Sequence, residues 1–318
     1  MRPRPDPALP RHPPEIQSLH DKALAGTGVR SRFVRTDDGA ALHLLESGSG
    51  PPVILVHGSM SAGLFWMPLL SHLQGVHTLA PDRPGQGLSD PVDLPKKRIR
   101  EAAVAWLDRV LDALELPAAT LVGHSMGGLW SLWFAMAKPE RVDRLVMLGT
   151  PTLPGTRAPL PFRMLATPGL GALIERQRQT PTSVRRFATM MGEGEAITGY
   201  PDLIELMVAT GRDPVAQAVG RPEVRTIVSP LALFTRSGFR RSMRVRHDEL
   251  GRLSMPTLLM WGEHDPLATV EMARRSIASL PRARLEHFPG GHLPFLDVPE
   301  DVADGLNAFF DEQPSRAD

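Results

Sequence analysis

The chain has 318 residues, 42% of them hydrophobic and 22% charged, with a formal net charge of +1 and no cysteine. That balance suits a soluble globular protein with a sizeable core, and a charge so near zero supplies no global field for nucleic acid or an anionic membrane. The absence of cysteine excludes disulfides, thiol nucleophiles and thiolate metal sites.

Residues 1–30 read as an N-terminal arm, extended through the proline-rich start MRPRPDPALPRHPP and carrying one short helix over 15–25. The start lacks the apolar region of a secretory signal. No apolar run approaches the ~20 residues that a membrane span needs. A cytoplasmic protein is expected, with a small-molecule substrate, no nucleic-acid or membrane partner, and the oligomeric state left open.

Strands follow at 32–36 and 41–46, joined by Asp38-Gly39, a strong hairpin signal. The continuously apolar VILV at 53–56 suits a strand covered on both faces. Helical and strand patterns then alternate: helix 62–73, strand 76–80, helix 99–114, strand 120–123, helix 127–137, strand 145–148. Such alternation predicts an α/β, doubly wound, mostly parallel sheet. It lapses over residues 151–253, which hold 15 arginines, no lysine and nine acidic residues at helical apolar spacing. It resumes with strand 257–261, helix 270–280, strand 284–288 and helix 298–310. The expected organisation is a core of residues 31–150 and 254–318 interrupted by a helical insertion at 151–253.

The chemistry centres on LVGHSMGG, a G-x-S-x-G with Ser125 in the middle, where a predicted strand meets a predicted helix. Glycines at 123 and 127 allow a sharp turn, and the helix dipole favours negative charge beside the serine. A serine hydroxyl needs a base. His292, in PGGHLPFLDVPE between the last strand and the last helix, is the candidate among eleven histidines. His124 is read as shaping the elbow, while His20, His43, His72, His77, His247 and His287 have no supporting context. The base needs a carboxylate to fix its tautomer. Asp265, in LLMWGEHDPLA, directly follows a strand, and Glu263 is the competing acid. The oxyanion needs preorganised N–H donors. Backbone amides of Met126 and of Ser59, in HGSMSAGLFW, are placed to supply them. DRPGQGLSD lacks the complete spacing of a phosphate loop and reads as a turn bordering the site.

Together HGSMSAGLFW, DRPGQGLSD, GHSMGG, WGEHDPLA and GGHLPFLDVPE resemble the α/β-hydrolase superfamily, over about residues 32–149 and 254–312. The resemblance implies nucleophile Ser125, acid Asp265, base His292, oxyanion donors Ser59 and Met126, a cap formed by the insertion, and neither cofactor nor metal. Serine at 125 departs from haloalkane dehalogenases and epoxide hydrolases of this superfamily, which carry aspartate there. The leading expectation is a serine hydrolase of a small, moderately apolar carboxylic ester or lactone. An alternative is C–C hydrolysis of a β-diketone-like meta-cleavage product, with Arg186, Arg240 and Arg241 as candidates for a substrate carboxylate. A third is a ligand-sensing protein with little turnover. Met164, Leu165, Met190, Met191, Leu206 and Met207 of the insertion, and Leu64, Phe65 and Trp66 after the oxyanion turn, are candidate pocket residues; Trp130 and Trp133 read as helix packing.

Overall fold

The computed structural model describes residues 12–92 and 98–312. The first eleven residues of the expected arm lie outside the described residues. Helix α1 (Pro14–Leu24) starts on a proline, which has no N–H to leave unsatisfied in a first turn, and buries Ile16 and His20. It is followed by β1 (Arg30–Arg35), β2 (Ala41–Gly48) and β3 (Pro52–Val56). The helix expected over 62–73 is shorter than its apolar pattern suggests. A 3₁₀ turn, Gly63–Trp66, leads into a single-turn α2 (Met67–Leu70) whose second residue is Pro68. The Gly63 N–H is drawn away to Asp82 Oδ1 at 2.6 Å, and Pro68 has no N–H to continue a helical ladder.

Next come β4 (His77–Pro81), α3 (Ile99–Ala113), β5 (Ala119–His124), α4 (Met126–Ala137) and β6 (Val142–Leu148). Helices α5 (Leu160–Ala166), α6 (Leu170–Glu175), α7 (Pro181–Met190), α8 (Pro201–Arg212), α9 (Pro214–Ile227) and α10 (His247–Leu250) intervene before β7 (Thr257–Gly262). The chain closes with α11 (Val270–Ile277), β8 (Ala283–Phe288), α12 (Pro294–Asp297) and α13 (Pro299–Asp311).

The eight strands form one sheet in the order β1-β2-β4-β3-β5-β6-β7-β8. The β1/β2 and β2/β4 pairs are antiparallel, and every pair from β4/β3 onward is parallel. Two apolar layers cover it. Trp106, Leu107, Leu129 and Phe134 of α3 and α4 pack with one cluster; Leu69, Val302, Leu306 and Phe309 of α2 and α13 pack with the other. Burial of each such side chain stabilises by roughly 1.5–3 kcal/mol, which is why the central strands read as unbroken apolar runs. Parallel pairing brings the ends of β3, β5, β6, β7 and β8 to one edge of the sheet, so the loops after Val56, His124, Leu148, Gly262 and Phe288 converge there. Open α/β sheets bind ligands at this edge.

Among the described residues, no helix is long and apolar enough to cross a membrane. His12, the first described residue, joins the start of the chain to both parts of the molecule. Its Nδ1 bonds Asp213, which caps α9, and its Nε2 donates to the Ser89 carbonyl at 2.9 Å. Burial opposes the charged imidazolium, yet these two acceptors raise its pKa above the ordinary histidine value.

Candidate active site

The turn from β5 into α4 places Ser125 at φ 53° and ψ −118°. A side-chain-bearing residue in that region is strained by roughly 1–3 kcal/mol and is held there by its surroundings. Here the Ser125 N–H donates to the Leu148 carbonyl at 2.8 Å, and its own carbonyl accepts from Leu129 N at 3.1 Å to begin the helix. Two residues on, Gly127 has no alternative, because a Cβ there would sit 2.0 Å from the Val56 carbonyl oxygen. The serine is left half-buried at the positive end of a twelve-residue helix.

His292 Nδ1 lies 2.9 Å from Asp265 Oδ2, and both side chains are buried. The other oxygen, Asp265 Oδ1, accepts the Leu267 N–H at 2.8 Å. A carboxylate facing Nδ1 puts the hydrogen on that nitrogen and leaves Nε2 as the basic one. Glu263, the competing acid, is instead paired with His287 at 3.0 Å, with both side chains substantially exposed. Depth thus distinguishes two carboxylates that sequence separates by a single residue.

His124 links the elbow to the histidine loop. Its Nε2–H donates to the His292 carbonyl at 3.0 Å, and the two rings stand 4.7 Å apart between centroids. Burial, and then the neighbouring His292, keeps its pKa well below the ordinary histidine value, so it holds this contact as a neutral ring. The loop after β3 closes the third side: a Cβ on Gly58 would lie 3.1 Å from His124 Nδ1 and 3.3 Å from Ser125 Cβ. Ser125, His292, Asp265, Met126 and the Ser59 loop are therefore gathered at one place.

The N–H groups of three successive residues around His292 are all engaged. Gly291 N donates to Asp297 Oδ2 at 3.0 Å, His292 N to the Met191 carbonyl at 2.9 Å, and Leu293 N to Glu193 Oε1 at 2.8 Å. Two of these acceptors come from the insertion, just after α7. The approach is so close that a Cβ at Gly291 would meet the Gly192 carbonyl carbon at 2.3 Å. Glu193 is buried facing the Asp297 carboxylate, an arrangement that suits a neutral acid donating its proton to that acceptor. Burial, and then the adjacent Asp297 carboxylate, pushes the Glu193 pKa up to about 9.

The Ser59 loop is also held from the insertion. Ser59 Oγ donates to Glu223 Oε2 of α9 at 2.6 Å, and Glu223 Oε1 accepts from the buried guanidinium of Arg83. Arg83 lies over the Trp130 ring, 4.0 Å from its centroid, and its backbone N–H donates to His57 Nε2 at 2.8 Å. Burial, and then Arg83, lowers the His57 pKa to about 3, which keeps that nitrogen an acceptor. The same helix presses Gly220 against Met60 Cγ and Val219 against Gly85. Because Arg83 and Glu223 are almost wholly buried, Glu223→Ala is expected to cost ~3–5 kcal/mol by leaving an uncompensated cation. A denaturant midpoint unchanged by that substitution would contradict the pairing.

The alpha/beta hydrolase family profile matches residues 53–305. The chain belongs to the alpha/beta hydrolase family. Among curated relatives, this hydrolase is similar to the 2-hydroxy-6-oxononadienedioate/2-hydroxy-6-oxononatrienedioate hydrolase of Cupriavidus pinatubonensis, with 30% identity over 84% of this chain and 90% of the relative. It is also similar to the pimeloyl-[acyl-carrier protein] methyl ester esterase of Nitrosomonas europaea, with 28% identity over 85% of this chain and 99% of the relative. Among solved structures, carboxylesterase CesB of Bacillus subtilis superposes with a TM-score of 0.71 at 22% identity, covering 94% of this chain and 98% of that one. The 2-hydroxy-6-oxo-6-phenylhexa-2,4-dienoate hydrolase of Rhodococcus sp. strain RHA1 gives 0.74 at 21%, covering 89% and 100%. The fold and the hydrolase class anticipated from the motifs hold.

The remaining candidates divide. Leu64, Phe65 and Trp66 of this hydrolase are buried in the core, with Trp66 stacked on Phe295 at 4.9 Å and edge-on to His124. Trp130 packs against Trp106 and beneath Arg83, and Trp133 is buried, in keeping with helix packing. Met191 and Leu206 are buried and Met164, Leu165 and Met207 partly so, whereas Met190 is exposed. Arg186, Arg240 and Arg241 are exposed, and the last two line a surface hollow with Ser229 and Ser242 that no triad candidate borders. His43, dismissed on sequence, is a buried partner of Asp82 at 2.6 Å and braces the DRPGQGLSD turn. The contacts of Glu193 and Glu223 go beyond the sequence reading, and Arg83 enters it only as part of the turn bordering the site. Glu223 lies in a helix, Glu193 follows α7 and Arg83 sits in a turn, and a charged residue in any of these places signals burial only once its distant partner is known.

Proposed function

We propose that the protein is a serine hydrolase of small, moderately apolar carboxylic esters or lactones, with residues 151–253 forming a cap over the pocket. The observation carrying this reading is the pairing of a left-handed Ser125 at a helix N-terminus with a buried His292–Asp265 dyad beside it. Ser125 Oγ attacks the substrate carbonyl carbon while His292 Nε2 takes its proton, and Asp265 stabilises the imidazolium. Backbone N–H groups of Ser59 and Met126 receive the oxyanion. Collapse of the tetrahedral intermediate breaks the C–O bond, and His292 returns the proton to the departing alkoxide. Water then attacks the acyl-serine, His292 takes its proton, and the acid leaves with Ser125 restored. A lactone follows the same steps and leaves as a hydroxy acid.

The C–C alternative draws support from the ring-fission hydrolase relatives. It needs a cation free to hold the substrate's carboxylate. Arg186, Arg240 and Arg241 are exposed, and the buried Arg83 is neutralised by Glu223, which favours a neutral acyl group. The test is turnover of p-nitrophenyl esters of increasing acyl length against a 2-hydroxy-6-oxodienoate. Ester turnover with a short-to-medium optimum and little dienoate cleavage is the expected result. A dienoate kcat/KM above that of every ester would reverse the order of the two readings, and stoichiometric release on both would favour ligand sensing.

A further inference from the structure

The six large hydrophobic side chains that stand exposed among the described residues all belong to the helical insertion. Three of them share one turn: Leu231, Leu233 and Phe234, the last 84% exposed. A fourth, Leu160, begins α5 at 61% exposure. The turn is rigidly presented. Arg163 of α5 spends its guanidinium on four backbone carbonyls, donating to Ala158 at 2.6 Å, Ala232 and Thr235 at 2.8 Å, and Arg236 at 2.9 Å. An apolar tip held this firmly and left this exposed is a candidate interaction surface.

Its charged surroundings say what kind. Residues 224–247 contain six arginines and no aspartate or glutamate. Arg225 pairs with Glu175 and Arg246 with Asp248 and Glu249 outside that run, while Arg236, Arg240, Arg241 and Arg244 have no acidic partner among the described residues. Beside the tip, Ser229, Arg240, Arg241 and Ser242 line a shallow hollow. Arg240 is oriented by donating Nε and Nη2 to the Arg225 carbonyl, at 3.3 and 3.2 Å. Two guanidinium groups and two hydroxyls form the donor set suited to a phosphodiester. The whole-chain charge of +1, which argued against a membrane partner, averages an insertion with 15 arginines and nine acids against a remainder in which acids predominate.

We propose that this face docks the protein on a bilayer containing anionic phospholipid, with Phe234, Leu231, Leu233 and Leu160 entering the headgroup–acyl boundary and the Arg240–Arg241 hollow receiving a headgroup phosphate. A protruding tip of four side chains penetrates an interface but is too small for the ~800 Å² per partner of a standard protein contact. Apolar insertion beside clustered arginines is the combination by which proteins lie on a membrane without spanning it. The docking is independent of the ester chemistry, because none of these residues borders Ser125 or His292.

The test is co-sedimentation of the full chain with vesicles of phosphatidylcholine and phosphatidylglycerol at 7:3, against pure phosphatidylcholine, at low and high salt. Soluble-ester turnover and the melting curve serve as folding controls. Binding to the anionic vesicles is expected to exceed binding to the neutral ones by about tenfold or more and to fall with salt. Phe234→Ser is expected to weaken it about tenfold. Arg240→Ala with Arg241→Ala is expected to weaken it by roughly fivefold per arginine. Millimolar inorganic phosphate leaves bilayer binding in place, whereas full competition by it would reduce the hollow to a free-anion site and overturn the bilayer proposal. Equal binding to both vesicles, or unchanged binding in Phe234→Ser, overturns it too. So does a concentration-dependent dimer that Phe234→Ser abolishes, since the tip would then be occupied by a second copy of the chain.

Discussion

Ser125→Ala is expected to lower kcat by ~10³-fold or more while leaving the fold intact. The reason is geometric. The hydroxyl is presented by a backbone the surroundings impose, through the Ser125 N–H bond to Leu148 and the glycine at 127, and none of these contacts uses Oγ. The variant therefore keeps the elbow and loses only the hydroxyl proposed as nucleophile. Two readouts separate this from general damage: a melting temperature close to that of the wild type, and loss of covalent labelling by a fluorophosphonate. Asp265→Asn provides an independent arm. It preserves the shape but lets the ring adopt the other tautomer, so a fall of ~10⁴-fold is expected. Retained turnover in Ser125→Ala would remove the assignment of the nucleophile, whatever the substrate.

The parts of this architecture that were legible in the sequence are those written in local runs. VILV at 53–56 announces a doubly covered strand, the run at 257–261 announces a further strand, and GHSMGG announces an elbow because turn and chemistry lie within six residues. The helix over 62–73 was overextended because an apolar pattern does not register that Asp82 captures the Gly63 N–H. Less legible was everything joining distant segments. Ser59, Arg83 and Glu223 meet only because α9 lies over the loops after β3 and β4, and His43 acquires its role only when β2 pairs with β4. Ser59 illustrates the difference. Its backbone role could be proposed from the turn, while its hydroxyl contact with Glu223 depends on how the insertion folds back.

Glu193 lends itself to a pH experiment, because its proton decides how the His292 loop is held. Asp297 faces it, Asp265 contributes a weaker repulsion, and His264 lies beside Asp297. With its pKa raised to about 9, Glu193 is neutral at physiological pH, accepting from Leu293 N through Oε1 without placing a second full charge beside Asp297. The sign follows from linkage. The native state holds this proton more tightly than the unfolded chain does. The stabilisation it provides is therefore complete below the ordinary glutamate range, declines as pH rises, and is lost through about 9. Wild type is thus expected to lose thermal stability progressively from above the ordinary glutamate range up to about 9, and to lose kcat as the pH passes about 9. Glu193→Gln keeps the acceptor for Leu293 and presents a neutral amide to Asp297, so it is expected to match wild type at pH 7 and to hold its activity higher on the alkaline side. Glu193→Ala strands the Leu293 N–H and loosens the loop, with an expected loss of ~10–100-fold in kcat and little change in KM. Rescue by glutamine but not alanine distinguishes a positioning hydrogen bond from simple packing. Superimposable alkaline limbs for wild type and Glu193→Gln would show instead that some other group governs the loop, with the backbone bond from His292 to Met191 the next restraint to examine.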